Sequence, residues 1–349
     1  YLGLFEACAR LLIVYFLKVF GTFDSLILYG MLTALVSFIT WLLYAIYCIR
    51  VFSECKLRFY WDHSLVKDMS RFIGQNLFGC FAWSAGIQGT NILLNLFFGP
   101  AINAARAISV QVSAVVTRFT ENIMTAVKPQ IIKSYASGDR EYMIVLIVKS
   151  SKYAYFLAAL FAIPVMMEIE FLLKVWLGQV PEHTVAFTRL VLCESLIGVF
   201  IPPLWIAANA TGRIKNNQVY GRMFTLAILP ISYLLLKVQQ DPMIPFFVAV
   251  VANIGYWLYC LYDIHVQIRL DIRYYLKEVV MPGLFLSLIL CSVGLIQSLM
   301  IPEDTFSRFL LVFASMLIVG VCVVYRLLSE GERVVLQGYI QRVCTKLKK

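Results

Sequence analysis

The chain has 349 residues, of which 61% are hydrophobic and 14% are charged, and its formal net charge is +10. Soluble domains carry about 25% charged and about 45–50% apolar residues, so this composition excludes an ordinary soluble domain. It indicates a membrane protein, in which the side chains that face lipid must also be apolar. The basic residues form no arginine-rich run with interleaved aromatics, which argues against a nucleic-acid partner.

Apolar stretches of about 20 residues, each long enough to cross a bilayer, recur along the whole chain. They predict ten transmembrane helices, at residues 1–20, 26–49, 73–98, 104–127, 147–176, 184–209, 218–238, 243–264, 279–300 and 306–328. Every second connection is rich in lysine and arginine, and the positive-inside rule therefore places these connections and the C-terminus in the cytoplasm. Because the chain begins at Tyr1 within an apolar stretch, we expect an N-terminal part of the protein to precede it.

The sequence predicts an all-α, polytopic transmembrane helical bundle, which a long polar stretch divides. Residues 51–72 mix aromatic and charged side chains, as is typical of an interfacial segment at the headgroup level, and we interpret them as a cytoplasmic linker. Two helices precede this linker (1–50) and six follow it (73–265). The last two helices form an additional hairpin (279–328), and a basic cytoplasmic tail ends the chain (329–349).

Motifs for catalysis, nucleotide binding and metal binding are absent from the sequence. It contains no GxxxxGK[ST] phosphate loop and no HExxH or Ser/His/Asp arrangement. Its nine cysteines form no CxxC pair. The non-cytoplasmic connections are too short to form a catalytic domain. We therefore expect neither an enzyme nor a metal site, and we predict no catalytic residues.

Two charged pairs lie within the predicted membrane segments, where each ionised side chain costs about 2.5–3.5 kcal/mol on insertion scales. Glu6 and Arg10 are spaced i, i+4, and Arg118 and Glu121 are spaced i, i+3, so each pair shares a helical face. One interpretation is that both are internal ion pairs. The other is that they line a water-filled cavity in which Arg10 and Arg118 attract an anionic cargo.

Uncharged polar residues form a stripe on the third predicted helix. The 3-then-4 spacing of Gln88, Asn91 and Asn95 places them on one face. That face either hydrogen-bonds to another helix or contacts sugar hydroxyls. Glu194, deep in the sixth helix and without a local partner, is the candidate for proton or cation coupling.

The other embedded charges are predicted to lie near the membrane surfaces. Arg106 follows Gly99–Pro100, and we interpret it as a helix-end charge that reaches for headgroups. Glu168 and Glu170 follow Pro164 and are predicted to be interfacial. Asp263, at the inner end of the eighth helix, is predicted to be solvated.

Three segments carry a resemblance to a known family: FFGPAINAAR (97–106), KPQIIKSYASGD (128–139) and AANATGRIKNNQ (207–218). Together with the text between the first two, they are similar to the polysaccharide-biosynthesis flippases of the multidrug/oligosaccharidyl-lipid/polysaccharide (MATE-like) superfamily, of the O-antigen and capsule type. The similarity extends over essentially the whole chain. One departure is Ala107, where the family pattern has glycine.

The resemblance implies two six-helix bundles related by pseudo-symmetry, with two extra C-terminal helices. Residues 1–50 would be the last two helices of an incomplete first bundle, 73–265 the complete second bundle, and 279–328 the extra hairpin. The hairpin favours a flippase over a multidrug exporter that lacks it.

The resemblance also implies an activity in the bacterial cytoplasmic (inner) membrane. By alternating access, an undecaprenyl-diphosphate-linked oligosaccharide would pass from the inner to the outer leaflet for surface polysaccharide assembly. Arg10 and Arg118 would bind the diphosphate in a cationic cavity, since guanidinium contacts phosphate oxygens bidentately. Implied partners are membrane lipids and the polysaccharide polymerase and chain-length machinery, without a cofactor.

Two alternatives remain at the level of the sequence. The first is a proton- or sodium-coupled multidrug exporter of the same superfamily, for which Glu194 is the nearest acidic cavity residue. The second is a membrane polymerase or glycosyltransferase. Such an enzyme needs catalytic residues on a sizeable outer loop, and the outer connections here are at most about ten residues long.

Overall fold

A computed structural model of the chain describes residues 2–19, 25–52, 55, 61–213, 215–300, 306–334 and 337–338. Every regular element in these residues is a helix. The α-helices are α1 (Leu2–Val19), α2 (Ser25–Val51), α3 (His63–Phe98), α4 (Pro100–Ala136), α5 (Arg140–Met167), α6 (Ile169–Leu177), α7 (Thr184–Gly198), α8 (Ile201–Ala210), α9 (Arg222–Val238), α10 (Ile244–Ile268), α11 (Ile272–Tyr275), α12 (Met281–Met300) and α13 (Phe306–Leu327). Two wider, π-helical segments, Asn216–Gly221 and Leu276–Val280, run directly into α9 and α12.

Within the described ranges, seven helical spans are long and apolar enough to cross a membrane. They are Ile27–Val51, Arg140–Met167, Thr184–Ala210, Asn216–Val238, Ile244–Ile268, Ile272–Met300 and Phe306–Leu327. The other three predicted segments are helical too, as α1, α3 and α4, but they carry the embedded charges and the polar stripe. The prediction of an all-α, polytopic membrane bundle is confirmed.

The chain separates into two compact units, residues 1–68 and 69–349. In the first unit, α1 and α2 pack against each other, and most described side chains of α2 are exposed to the surroundings. These exposed side chains are large and apolar, for example Leu35, Phe38 and Trp41. Such a surface is stable in lipid and unstable in water.

Residues 61–72 lie in the segment predicted as an interfacial linker, and most of them are helical. Asp62 caps the start of α3, because its Oδ1 accepts hydrogen bonds from the amides of Ser64 (2.9 Å) and Leu65 (3.3 Å). The hydrogen bonds from the Ser64 hydroxyl and these amides lower the pKa of Asp62. The aromatic residues Phe59 and Tyr60 lie outside the described residues, as do 335–336 and 339–349 of the predicted tail.

Helix α5 is at the centre of the second unit and packs against α4, α12 and α13. Small residues allow this close packing: Ala158, Ala159 and Ala162 of α5 are completely buried. Gly320 of α13 lies so close to α5 that an added Cβ would be 2.2 Å from Leu160 Cδ2. The terminal hairpin is therefore attached to the bundle through α5.

Prolines end or divide helices that the sequence predicts as continuous. The predicted helix 147–176 is two helices, because α5 ends at Met167, shortly after Pro164, and α6 follows. The predicted helix 184–209 is divided between α7 and α8, just before Pro202 and Pro203. A proline ring clashes with the preceding turn and removes an amide donor, so a helix cannot continue through it unchanged.

Glu168 and Glu170, which were both predicted to be interfacial, have different surroundings in the structure. Glu170 is exposed and pairs with Lys174 at 3.7 Å. Glu168 is buried, with 7% of its surface exposed, and its Oε1 lies 3.6 Å from Nη2 of Arg308 on α13. The sequence did not predict this contact, because the partner comes from a helix 140 residues later in the chain, which no local pattern reveals.

A second ionic contact attaches the segment after α13 to α5. Glu332 lies 3.7 Å from Nζ of Lys149 and 3.8 Å from Nζ of Lys152, and Lys152 is buried. Partial burial raises the pKa of Glu332. However, the hydrogen bond from Tyr153, the bonds from Ser329 and the charge of Lys152 outweigh that effect, so the net pKa lies below its usual value.

We predict that this contact stabilises the protein only while Glu332 is ionised. Because its pKa is lower in the folded state, its contribution is fully present above the unfolded value of about 4.3 and is lost as the pH falls through the folded value. The melting temperature of Glu332→Gln in detergent should therefore be below that of the wild type at pH 7. The difference should shrink as the pH is lowered below about 4. A difference that stays constant over this range would contradict the role of the charge.

We also predict that Gly320→Leu loosens the terminal hairpin. The added side chain meets Leu160 and Leu290, and overpacking of this kind costs about 1–3 kcal/mol. The matched control is Gly30→Leu in α2, where an added Cβ has no neighbour within 4 Å. Thermal unfolding in detergent should show a lower melting temperature for Gly320→Leu than for the wild type. The melting temperature of Gly30→Leu should be unchanged.

Candidate functional site

The second unit contains a cavity with two adjoining lobes, of about 280 Å³ and about 420 Å³. Both lobes are lined by residues of α3, α4, α7, α8 and α10, and the smaller one is also lined by α9. The side chains shared by both include Trp83, Arg106, Glu194 and Asn253. An arginine and a glutamate therefore face the same space inside a membrane bundle.

Arg106 reaches this space because α3 and α4 form a tight hairpin. The chain turns at Gly99, which adopts a left-handed φ of 84°, and α4 begins at Pro100. The turn places Arg106 opposite Asn91, whose Oδ1 accepts a hydrogen bond from Nη1 of the guanidinium. The predicted headgroup position of Arg106 was wrong: the side chain is half-buried and points to the neighbouring helix.

The polar stripe of α3 contacts the site through Asn91, although its three residues line neither lobe. Asn91 accepts from Arg106 and donates through Nδ2 to Oε1 of Gln88, at 3.0 Å. This is the interhelical hydrogen bond that was one of the two interpretations of the stripe. Gln88 and Asn95 are exposed.

Glu194 on α7 has its partners on other helices. Nδ2 of Asn253 on α10 donates a hydrogen bond to its Oε1, at 2.7 Å. Arg106 lies close enough to attract it electrostatically. Glu194 precedes by about one turn the break between α7 and α8, so the carboxylate lies where a transmembrane span is discontinuous.

Arg222, at the start of α9, is a second arginine of the cavity and lines the smaller lobe. Its guanidinium carbon lies 5.0 Å from the centre of the Tyr256 ring, in cation–π contact. Its Nε is buried and has no hydrogen-bond partner. Among the described residues, no carboxylate lies within ion-pair distance of it. Arg222 lies within the predicted helix 218–238, and the sequence predicted no role for it.

The π-helical segment Asn216–Gly221 positions Arg222. Tyr256 donates a hydrogen bond to Oδ1 of Asn217 at 2.8 Å, and Asn217 donates to Sγ of Cys260 at 3.2 Å. A Cβ added at Gly221 would lie 2.7 Å from the Tyr256 ring, so glycine allows the close approach of the ring at this position. π-Helical turns are frequent at functional sites because they re-aim side chains, and here the turn brings Arg222 over an oriented tyrosine.

Asp263 contacts the π-helical segment Asn216–Gly221 and stabilises it. Its carboxylate accepts hydrogen bonds from Asn216 (3.1 Å) and Gln267 (2.8 Å), and only 3% of its surface is exposed. The prediction that Asp263 is solvated was wrong, because the AANATGRIKNNQ segment folds back over it. The described part of this segment thus positions neighbouring residues and lies beside the cavity.

Of the four residues in the two predicted charged pairs, Glu121 is the one that lines the described cavity. Glu6 and Arg10 form the expected pair, at 2.6 Å, on α1 of the first unit, and the Arg10 side chain is about half exposed (54%). Arg118 and Glu121 are both exposed and, in the part of the chain that the structure describes, are not in ion-pair contact. Glu121 lines the larger lobe, whereas Arg118 lines neither lobe.

The arrangement can hold a polar or charged ligand through guanidinium, carboxylate and amide groups. Within the described ranges, no group of three or more His, Cys, Asp or Glu side chains could hold a metal ion. The sequence pointed to Glu194 and Asn91, but it gave no signal for Asn253 or Tyr256. For Arg222 the only signal was the preceding polar run, NNQ.

Comparison of the chain with protein-family models, with curated proteins and with solved structures found no match. The functional assignment therefore depends on the site and on the resemblance of the three segments.

Proposed function

We propose that this chain is a transporter, not an enzyme, and that it flips an undecaprenyl-diphosphate-linked oligosaccharide from the inner to the outer leaflet of the bacterial cytoplasmic membrane. Its role would be in O-antigen or capsule assembly, by alternating access. The observation that carries the proposal is the smaller lobe of the cavity. Two arginines, Arg106 and Arg222, face it with one glutamate, Glu194.

A net positive lobe inside a membrane bundle favours an anionic cargo. A charged side chain in such a place is costly unless it has a partner or performs a function. Guanidinium groups bind phosphate oxygens through two parallel hydrogen bonds, and these strengthen where water is excluded. A diphosphate supplies the negative charge that the lobe lacks. It also distinguishes this cargo from a neutral lipid.

The rest of the lining suits the sugar portion of such a cargo. Asn253 and Thr90 offer hydrogen-bonding groups, and Trp83 and Tyr256 present aromatic rings. Ligand sites commonly combine apolar and aromatic walls with a few polar groups that fix orientation. The polyprenyl tail would stay in the membrane, beside the exposed apolar side chains of the helices.

The proposal includes the topology and the partners. With the basic connections on the cytoplasmic side, the C-terminus is cytoplasmic. The cargo is delivered at the inner leaflet and is passed at the outer leaflet to the polymerase and chain-length machinery. Proton or sodium coupling would act through Glu194.

A multidrug exporter is the second candidate, and one observation favours it. The larger lobe is lined by two carboxylates, Glu121 and Glu194, with one arginine, Arg106. An acidic lobe suits a cationic drug and a coupling ion. The two candidates therefore differ in which lobe holds the cargo.

We predict that vesicles containing the purified chain move a fluorescent undecaprenyl-diphosphate oligosaccharide several-fold faster than protein-free vesicles. The measurement is the fraction of headgroup label that dithionite reaches with time. The double variant Arg106→Gln/Arg222→Gln should lower the rate at least about tenfold, which corresponds to an increase of about 1.4 kcal/mol in the activation free energy of transport. Arg140→Gln, an exposed arginine at the start of α5, is the matched control and should keep the rate.

The same vesicles are tested with a cationic dye and an imposed proton or sodium gradient. Movement of the lipid-linked sugar without the dye supports the flippase. Movement of neither compound contradicts the flippase. Movement of the dye alone also contradicts the flippase and identifies the exporter.

A further inference from the structure

The two arginines of the cavity differ in how their charges are balanced. Arg106 has a hydrogen-bond acceptor, Asn91, and lines both lobes together with Glu194, which attracts it although the two are not in ion-pair contact in the described part of the chain. Glu194 is in turn held by Asn253 at 2.7 Å. The opposite charges of Arg106 and Glu194 therefore offset each other in the cavity before any ligand binds.

Arg222 has no such hydrogen-bond acceptor in the described part of the chain. Its contact is with the Tyr256 ring, and in the described part of the chain it has no carboxylate at ion-pair distance. The ring face stabilises a cation, but it does not neutralise one and does not use the N–H donors of the guanidinium. Its buried Nε is left without a partner. A half-buried cation with unused donors beside a cavity is suited to bind an anion.

We propose that Arg222 is the residue that anchors the phosphate groups of the cargo, in the smaller lobe, and that Glu194 keeps Arg106 from competing for them. This inference rests on the proposed function and names the anion subsite within it. Thr225, one turn after Arg222 on α9, lines the same lobe and places a hydroxyl donor on the same face. Tyr256, oriented by Asn217, fixes the plane of the guanidinium.

The proposal has two consequences. First, removal of Arg222 should weaken anion binding more than removal of Arg106, whereas a diffuse positive cavity would lose similar affinity with either arginine. Second, neutralisation of Glu194 should free Arg106 and strengthen anion binding. The first effect tests the role of Arg222, and the second tests the role of Glu194.

The test is calorimetric titration of the purified full chain in detergent with inorganic pyrophosphate. We expect Arg222→Gln to weaken binding at least about tenfold, and Arg222→Lys to recover part of the loss, since lysine keeps the charge but loses the bidentate geometry. Glu194→Gln should tighten binding several-fold. Arg140→Gln should leave it unchanged.

A second arm distinguishes a lipid-linked phosphate from a free one. Undecaprenyl diphosphate in the same micelles should displace pyrophosphate from the wild type but not add heat in Arg222→Gln. Pyrophosphate that binds without being displaced would indicate a site for free anions, and would overturn the assignment to the cargo. Undiminished pyrophosphate binding in Arg222→Gln, or unchanged binding in Glu194→Gln, would overturn the subsite itself.

Folding and function are controlled separately. Each variant is compared by melting temperature and by elution in size exclusion, and the gain expected for Glu194→Gln does not depend on whether Arg222→Gln folds. Binding at Arg222 without transport in vesicles would contradict the proposed flippase and leave the anion site. Transport that Arg222→Gln leaves unchanged would contradict the anion site and leave the proposed flippase.

Discussion

The cost of an ionised side chain in a low-dielectric bundle governs how this chain is built. Such a group is stable only with a partner that supplies opposite charge or hydrogen bonds. Glu168 therefore lies against Arg308, and Lys152 lies against Glu332. Both contacts connect α5 to the terminal hairpin or to the residues after it, so the charges also determine which helices pack together.

Within the described lining of the cavity, Arg222 is the cation whose buried Nε has no hydrogen-bond partner, and for that reason it is the most informative residue of the site. The other cavity cation, Arg106, is balanced by Glu194 and Asn91. A tyrosine ring is the principal contact of Arg222. An unbalanced guanidinium costs free energy, and an anionic ligand would balance it. This cost is the physical basis of the anionic cargo that we propose.

Interruptions of the helices bring these polar groups together. The chain breaks between α7 and α8 before Pro202, and a π-helical turn precedes α9. Discontinuous spans at membrane depth are tolerated where they are buried in protein or line a cavity. Glu194 and Arg222 each lie within about one turn of such an interruption. The helix interruptions therefore help to place these two charged side chains at the cavity.

The sequence by itself determined the class of the fold and the approximate positions of the helices, because apolar length and composition depend on each residue alone. It also identified Glu194 and Asn91 as polar residues that need a reason to be in the membrane. It misplaced Arg106 and Asp263, and it predicted neither the contact between Glu168 and Arg308 nor a role for Arg222. The partners of these residues come from helices that are 15 to 140 positions away in the chain. Only the tertiary structure decides which helical faces meet, because helical periodicity gives the face of a residue but not the neighbour that the face contacts.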